Sequence, residues 1–212
     1  GGVHLLAVGN PASYRAQALV GEAVRAARDW SFGELPYAAE EARRVAGHFS
    51  SAQVLLGPQA TEEAIKAHAP RASHLHFATH GLLDEVEPLM SALVLAQDED
   101  PAEDGLLQVH EILDMDLHAE LVVLSACNTA RGRLTGGEGL LGLSHAFLCA
   151  GARTLLISLW EIPDRSTADL MDRFYTHLAG GRPADLALRD ARRDMRALGE
   201  PPRRVGPRGA HS

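Results

Sequence analysis

The sequence predicts an α/β protein with a mostly parallel central sheet. Near-continuous apolar runs are typical of strands that are buried on both faces, and two such runs are LVVLSACNT (121–129) and RTLLISLW (153–160). Segments with helical spacing separate these runs, and strands that alternate with helices form parallel sheets flanked by helices. The chain has 212 residues, 46% of them hydrophobic, which is enough for one sizeable core. We therefore predict one domain over residues 1–198.

Strands and helices alternate in the first half of the chain. Strands are predicted at residues 3–11, 52–57 and 74–81, and helical segments at 21–27, 35–49 and 62–69. Asn10 and Pro11 stop the first strand, because both residues favour turns. Pro36 suits the first turn of its helix, and Thr61 fits the N-cap of the next one.

The second half continues this alternation. We predict a hairpin around residues 93–95, an acidic solvated loop at 97–105, strands at 121–129 and 153–160, a Gly-rich loop at 131–139, and helices at 139–151, 164–181 and 183–198. The tail, residues 199–212, is rich in Pro, Gly and Arg, and we predict that it is disordered.

Composition excludes several classes of protein. The net charge is −8 and no basic patch is interleaved with aromatic residues, so we expect no binding to nucleic acid. No apolar run is long enough to span a membrane, and no signal peptide precedes the first strand. Two cysteines are too few for a disulfide framework. We therefore expect a cytoplasmic protein without membrane contacts.

Three histidines lie in the stretch HLHFATHG, residues 74–81. The His-x-His pair of His74 and His76 could bind zinc, but no further ligand stands out to complete a site, so we predict no metal. We interpret both as core residues whose ring nitrogens bond to backbone groups. His80 differs, because it lies at the exit of its strand beside Gly81, where ligands of parallel sheets bind.

Cys127 lies at the end of another predicted strand, where a thiol can reach a ligand. Cys149 lies within an apolar helical face, and we interpret it as an inert buried thiol. A thiol becomes a nucleophile when its thiolate is accessible and an imidazole manages its proton. His80 and Cys127, at the exits of two buried strands, fit this requirement.

These motifs resemble the CHAT domain, a caspase-like and separase-related family of cysteine peptidases. The resemblance rests on HFATHG (76–81), LVVLSACNT (121–129), GGEGLLGLSHAFLCAGA (136–152), SLWEIPD (158–164) and DLMDRFYTHL (169–178). It covers residues 3 to 198. The separation of His80 and Cys127 is close to the roughly 50 residues found in caspases.

The resemblance implies a three-layer fold of the caspase/hemoglobinase type, with His80 as general acid and base and Cys127 as nucleophile. Backbone N–H groups of Gly81 and Cys127 are the expected oxyanion donors. No cofactor is expected. The expected partners are a protein or peptide substrate, together with regulatory domains or proteins outside this chain.

The segment SLWEIPD resembles the separase segment whose acidic residue receives an arginine side chain before the cut bond. We therefore predict cleavage after Arg or Lys, with Asp164 as the leading pocket residue and Glu161, Glu138 and Trp160 beside it. Asp164 could instead cap the helix that begins near Arg165, and both roles could hold.

Two other functions are compatible with parts of the sequence. GEGLLG (137–142) satisfies the G-x-G-x-x-G pattern of dinucleotide-binding proteins, but that pattern must follow its strand immediately, and about ten residues intervene here. A catalytically silent interaction module on the same fold is the other alternative.

Overall fold

The computed structural model describes residues 4–11, 35–97, 103–125, 137–158 and 165–198. Within these residues, a five-stranded sheet has the order β2-β1-β3-β7-β8, and every neighbouring pair is parallel. Its strands are β1 (Leu5–Pro11), β2 (Ala52–Gly57), β3 (His74–Ala78), β7 (Leu121–Leu124) and β8 (Leu155–Ile157). The predicted mostly parallel central sheet is confirmed.

A smaller antiparallel sheet interrupts the alternation of strands and helices. It consists of β4 (Gly81–Leu82), β5 (Ala92–Val94) and β6 (Leu106–Gln108), in that order. The hairpin predicted around residues 93–95 is part of this sheet. Because β4 begins three residues after β3 ends, the chain passes from the central sheet to the small sheet at His80.

Six helices are described, and they flank the central sheet on both faces. Their bounds are α1 (Ala38–Ala46), α2 (Glu62–His68), α3 (Val109–Leu113), α4 (Glu138–Cys149), α5 (Arg165–Ala179) and α6 (Ala184–Ala197). As predicted, Thr61 is the N-cap of α2, where its hydroxyl accepts a hydrogen bond from the Ala64 N–H. Of the helices described, none is both long and apolar enough to cross a membrane.

Each face of the central sheet has its own core. The α4 face, which α2, α3 and α4 cover, receives alternate strand residues such as Leu75, Phe77 and Leu124. The α5 face, which α1, α5 and α6 cover, receives the residues between them, such as Val123, together with Phe174. The molecule is therefore a three-layer α/β/α structure, as predicted.

Several predictions fall on residues outside the described ranges. They concern the helical segment at 21–27, most of the Gly-rich loop at 131–139, and the tail at 199–212. All six residues of the dinucleotide-like motif (137–142) are described, and Gly137 directly precedes α4 with a left-handed φ of 75°. Since β7 ends at Leu124, this glycine does not follow its strand immediately.

Candidate active site

The two strands that lead to His80 and Cys127 are direct neighbours in the central sheet. Phe77 of β3 is paired with Leu124 of β7, and the ladder continues because the Ser125 N–H donates to the Phe77 carbonyl at 2.8 Å. His80 follows Phe77 by three residues, and Cys127 follows Leu124 by three residues. Cys127 itself lies outside the described residues, so the dyad stays a prediction.

His80 lies at the turn between the two sheets and is largely buried, with 8% of its surface exposed. Its carbonyl accepts a hydrogen bond from the Val94 N–H at 2.8 Å, and the next residue, Gly81, is paired with Leu93 in the small sheet. Thr79, before it, is fully buried. The backbone around His80 is therefore held from both sides, which limits how far the imidazole can move.

Two buried hydroxyl groups lie beyond the neighbouring strands β7 and β8. Ser125 and Ser158 directly follow Leu124 and Ile157, which are paired, and the Ser158 N–H donates to the Leu124 carbonyl at 2.9 Å. The side-chain oxygens of both serines are buried without a hydrogen-bond partner. Strand alternation places both on the α5 face. This pair is not evident from the sequence, because a serine in an apolar strand gives no signal until its partners are known.

Glu138 is the first residue of α4, and its side chain is exposed. Its backbone N–H donates to a carboxylate oxygen of Glu85 at 3.1 Å, while the other oxygen of Glu85 is buried without a hydrogen-bond partner. A turn holds Glu85 in place, because the Asp84 carboxylate accepts hydrogen bonds from the N–H groups of Val86 and Glu87. The Glu85 carboxylate therefore lies at the start of α4 beside Glu138. This contact is not evident from the sequence.

The glycines of the dinucleotide-like motif have a structural explanation in helix packing. A Cβ atom on Gly139 would lie 2.8 Å from the Ser91 hydroxyl and 2.9 Å from the Asp84 carbonyl oxygen. A Cβ on Gly142 would lie 3.1 Å from the carbonyl oxygen of Pro88. Both glycines let α4 approach the backbone of residues 84–91 closely.

The other predicted pocket residues, Trp160, Glu161 and Asp164, lie outside the described ranges. The helix expected to begin near Arg165 does begin there. Whether Asp164 caps this helix, receives a substrate side chain or does both stays open.

His74 and His76 are core residues, as predicted, but the partners predicted for them were wrong. His74 contacts the Ser73 hydroxyl at 3.0 Å, and burial lowers its pKa although Glu120 raises it. His76 is fully buried and bridges the Glu41 carboxylate and the Tyr175 hydroxyl. Side chains, rather than backbone groups, satisfy these rings, because strand backbone groups are already used in the parallel ladders.

Cys149 is exposed, so the prediction of a buried thiol was wrong. It lies near the C-terminal end of α4, on the side that faces solvent, and its sulfur is 3.6 Å from the ring nitrogens of His145. The apolar residues around it gave a misleading signal, because the neighbouring Leu148 is also exposed.

Three carboxylates in the described part of the chain lie close enough to share a cation. They belong to Glu62, Glu103 and Glu111, whose oxygens lie within 4.8 Å of one another. The ammonium group of Lys66 contacts all three, at 3.2, 2.7 and 2.7 Å. The lysine thus supplies the positive charge that these carboxylates require.

The chain is similar to one protein family and to several individual proteins. The CHAT domain family matches residues 2–204. Tetratricopeptide repeat protein 28 of Mus musculus is 31% identical and that of Homo sapiens 30% identical, each over 76% of this chain. The chain spans only 8% of the length of these relatives. Among solved structures, a flavodoxin of Streptococcus pneumonia TIGR4 covers 85% of this chain and 99% of its own, with a TM-score of 0.44 and 13% identity.

Proposed function

Because this chain belongs to the CHAT domain family, which is part of the caspase-like peptidase superfamily, we propose that it is a cysteine endopeptidase. The observation that carries the proposal is the pairing of Phe77 with Leu124 in adjacent parallel strands. Phe77 and Leu124 lie at the same edge of the sheet, and His80 and Cys127 follow them in sequence by three positions each. Ligands of parallel α/β sheets bind at this carboxyl edge.

The proposed reaction uses the two residues in turn. The sulfur of Cys127, as a thiolate, attacks the carbonyl carbon of the scissile peptide bond and forms a tetrahedral intermediate. His80 then donates a proton to the departing amine, the C–N bond breaks, and an acyl-enzyme thioester remains. Next, His80 takes a proton from water, the hydroxide attacks the thioester, and the carboxylic acid and the thiolate are released.

The negative charge that develops on the carbonyl oxygen requires hydrogen-bond donors. We assign this role to the backbone N–H groups of Gly81 and Cys127. Gly81 supports this assignment because it directly follows His80 and lacks a side chain that would block an approaching substrate.

Cleavage after Arg or Lys is the substrate preference that we propose. We assign the pocket to Asp164 and Glu161, with Glu138 and Trp160 as further pocket residues. The Ser125 and Ser158 hydroxyls support a polar occupant, since buried oxygens without partners are costly and a guanidinium N–H could donate to them. The partnerless oxygen of Glu85 adds a further acceptor near the start of α4.

The relatives are tetratricopeptide repeat proteins, and this chain corresponds to a small part of them. We therefore propose that the domain is one module of a larger signalling or defence protein, whose other regions regulate it in the cytoplasm. A module of this kind could also be catalytically silent and serve only to bind partners.

The test compares wild type with Cys127→Ala and His80→Asn on peptides that carry Arg, Lys or Asp before the cut bond. We expect cleavage of the Arg and Lys peptides by wild type and loss of at least about 10³-fold in kcat in both variants. Cys149→Ala is the matched control, because Cys149 is exposed and lies at the end of α4 opposite to Glu138. A covalent peptide probe should label wild type and Cys149→Ala but not Cys127→Ala.

The pocket is tested separately with Ser125→Ala and Glu85→Gln. Both substitutions are expected to lower kcat/KM for the Arg peptide by about tenfold, which corresponds to the loss of roughly one buried hydrogen bond. Glu87→Gln is the control for Glu85, since Glu87 is exposed on the same turn. Preferential cleavage after Asp would contradict the proposed preference for Arg or Lys. If wild type cleaves none of the peptides, the catalytically silent module is favoured.

A further inference from the structure

A chain of three buried polar groups crosses the α5 face below the candidate active site. The Nε2 atom of His76, on β3, lies 2.9 Å from a carboxylate oxygen of Glu41, on α1. Its Nδ1 atom lies 3.3 Å from the hydroxyl oxygen of Tyr175, on α5. All three residues are fully buried. One imidazole therefore joins a strand of the central sheet to two different helices.

Both ring nitrogens of His76 have a polar partner. An ionised carboxylate only accepts hydrogen bonds, so Nε2 of His76 is the donor to Glu41. The Nδ1 atom contacts the Tyr175 hydroxyl. Tyr175 keeps its proton, because burial, with the charge of Glu41 added to it, raises its pKa well above the ordinary value. Each ring nitrogen thus has one partner, and the two partners belong to different helices.

His76 lies on β3, four residues before His80 in the sequence. Ala78, two residues after His76, is the last residue of β3, and it packs against Leu35 and Ala38 at the start of α1. Glu41 lies three residues after Ala38, which is about one helical turn. The hydrogen bond from His76 to Glu41 therefore sets where α1 lies over the end of β3, directly before the Thr79–His80 turn.

There is little space between α1 and the sheet beneath it. A Cβ atom on Gly9 of β1 would lie 2.5 Å from the Ala38 carbonyl oxygen, so this helix lies almost on the sheet backbone at the carboxyl edge. Gly9 is paired with Ala78 in the β1–β3 ladder. A small displacement of α1 toward the sheet would push on Gly9 and, through the β1–β3 ladder, on Ala78 at the end of β3.

Stability alone does not account for these three residues. The second carboxylate oxygen of Glu41 is buried without a hydrogen-bond partner, so the network is only partly satisfied. Apolar side chains of similar volume often give equal or greater stability than a buried polar network of this kind. The backbone of β3 is already held by ladders to β1 and β7. The two hydrogen bonds of His76 depend on orientation, so they restrict how α1 and α5 are placed relative to β3.

We propose that Glu41 and Tyr175 are positioning residues that act through His76 to hold the end of β3, so that His80 reaches Cys127. This inference rests on the proposed peptidase function. Neither residue touches substrate. Their contribution is to keep the imidazole of His80 within hydrogen-bond reach of the sulfur, where a displacement of about 1 Å can lower a rate by two orders of magnitude.

The test uses Tyr175→Phe, which removes only the hydroxyl, and the pair Glu41→Gln and Glu41→Ala. Gln retains an acceptor for the His76 N–H, whereas Ala leaves that donor buried and unpaired. We expect Tyr175→Phe and Glu41→Ala to lower kcat by about ten- to hundredfold with little change in KM. Glu41→Gln should recover most of the rate.

Arg44→Met provides the matched control. Arg44 also joins α1 to α5, through Asp169 at 2.6 Å and Asp172 at 2.7 Å, and none of the ion pairs described for it involves β3. The control should lower the melting temperature by an amount comparable to that for Tyr175→Phe and leave kcat unchanged. An equal loss of kcat in Arg44→Met, or an unchanged kcat in folded Tyr175→Phe, would overturn the inference.

A second readout does not depend on peptide cleavage. The ring signals of His80 can be assigned in a ¹H–¹⁵N spectrum by their absence from His80→Asn. These signals should shift in Tyr175→Phe and stay in place in Arg44→Met. If wild type cleaves no peptide, the proposed function fails, and this spectrum alone decides the inference: unmoved His80 signals in Tyr175→Phe would reject it.

Discussion

The two faces of the central sheet are built from alternate residues of the same strands, yet they differ in chemistry. On the α4 face, β3 presents Leu75 and Phe77 to a core of aliphatic and aromatic side chains. On the α5 face, the same strand presents His74 and His76, and the latter bonds to Glu41 and Tyr175. One strand thus supports an apolar interface on one side and a directional polar one on the other.

This difference indicates that the two faces contribute differently to stability and to the positioning of the candidate site. Apolar contacts contribute in proportion to buried area and tolerate small shifts, whereas hydrogen bonds weaken steeply when their geometry changes. We therefore expect substitutions on the α4 face to act mainly on the free energy of unfolding. Substitutions of the buried polar groups on the α5 face should act on catalysis as well.

The largest expected effect on stability is that of Phe147→Ala on the α4 face. Phe147 is fully buried, and its ring centroid lies 5.8 Å from that of Phe77. Truncation should lower the free energy of unfolding by about 3–5 kcal/mol, measured by urea denaturation, because it removes buried surface and leaves a cavity. The exposed neighbour Leu148 is the control, and Leu148→Ala should change this free energy by less than about 0.5 kcal/mol. Similar losses in both variants would contradict the assignment of this core.

The next effect in size is that of Gly139→Ala, where the α4 face meets the candidate site. The new methyl group would contact backbone atoms of Asp84 at 2.9 and 3.0 Å, which cannot move as a flexible side chain can. We expect a loss of about 1–3 kcal/mol in the free energy of unfolding, together with slower peptide cleavage. Gly142→Ala has a nearest contact of 3.1 Å and should cost less. A larger loss at Gly142 than at Gly139 would reject this account of the helix packing.

The same contrast explains which parts of the structure could be predicted from the sequence. Periodicity gave the central sheet and its helices, because apolar alternation depends on each residue and its near neighbours. The pairing of Leu124 with Ile157, which precede Ser125 and Ser158, and the approach of Glu85 to Glu138 could not be predicted, since each joins residues that are distant in sequence. Tertiary contacts decide which polar groups meet.

The histidine stretch illustrates both outcomes. The interpretation of His74 and His76 as core residues is correct, because both are buried. It could not identify their partners, which come from helices 35 and 99 residues away in the case of His76. For Cys149 the predicted burial was wrong, because the apolar residues around it lie on a helix surface that faces solvent.

A smaller effect is expected at the edge of the α4 face, where Glu62 meets Lys66. Burial, a hydrogen bond with Glu103 and the charge of Glu111 raise the pKa of Glu62 from about 4.5 to about 8. A raised carboxyl pKa favours the folded state at low pH, so this contribution is complete below pH 4.5 and is lost as the pH rises through 8. Glu62→Gln removes this titration.

Melting temperatures at pH 5 and pH 9 test this prediction. Wild type should lose stability between these values relative to Glu62→Gln, and a difference of 1 kcal/mol corresponds to roughly 2–4 °C for a chain of this size. Glu63→Gln is the control, because Glu63 is the exposed neighbour in α2. Parallel pH profiles for wild type and Glu62→Gln would show that Glu62 is already ionised at neutral pH.

The smallest expected effect belongs to the exposed rim of the α5 face, where Asp172 accepts hydrogen bonds from Arg44 and His48. Partial burial raises the pKa of Asp172, but these bonds outweigh it and lower the pKa below the ordinary value near 3.8. The pair therefore stabilises the fold above pH 4, and this contribution is lost as the pH falls through the lowered pKa. Because both side chains are about 30% exposed, Asp172→Asn should cost at most about 1 kcal/mol at pH 7 in urea denaturation.

At pH 3 the difference between wild type and Asp172→Asn should shrink, since part of the carboxylate population is then protonated in wild type. Glu40→Gln is the matched control, because Glu40 is more exposed and lies 3.6 Å from the same guanidinium. A cost at Asp172 as large as that of Phe147→Ala would contradict the division between the two faces, because an exposed ion pair would then stabilise the fold as much as a buried aromatic ring. If Asp172→Asn changes neither the free energy of unfolding nor peptide cleavage, then on this face only the buried hydrogen bonds of His76 position the active site.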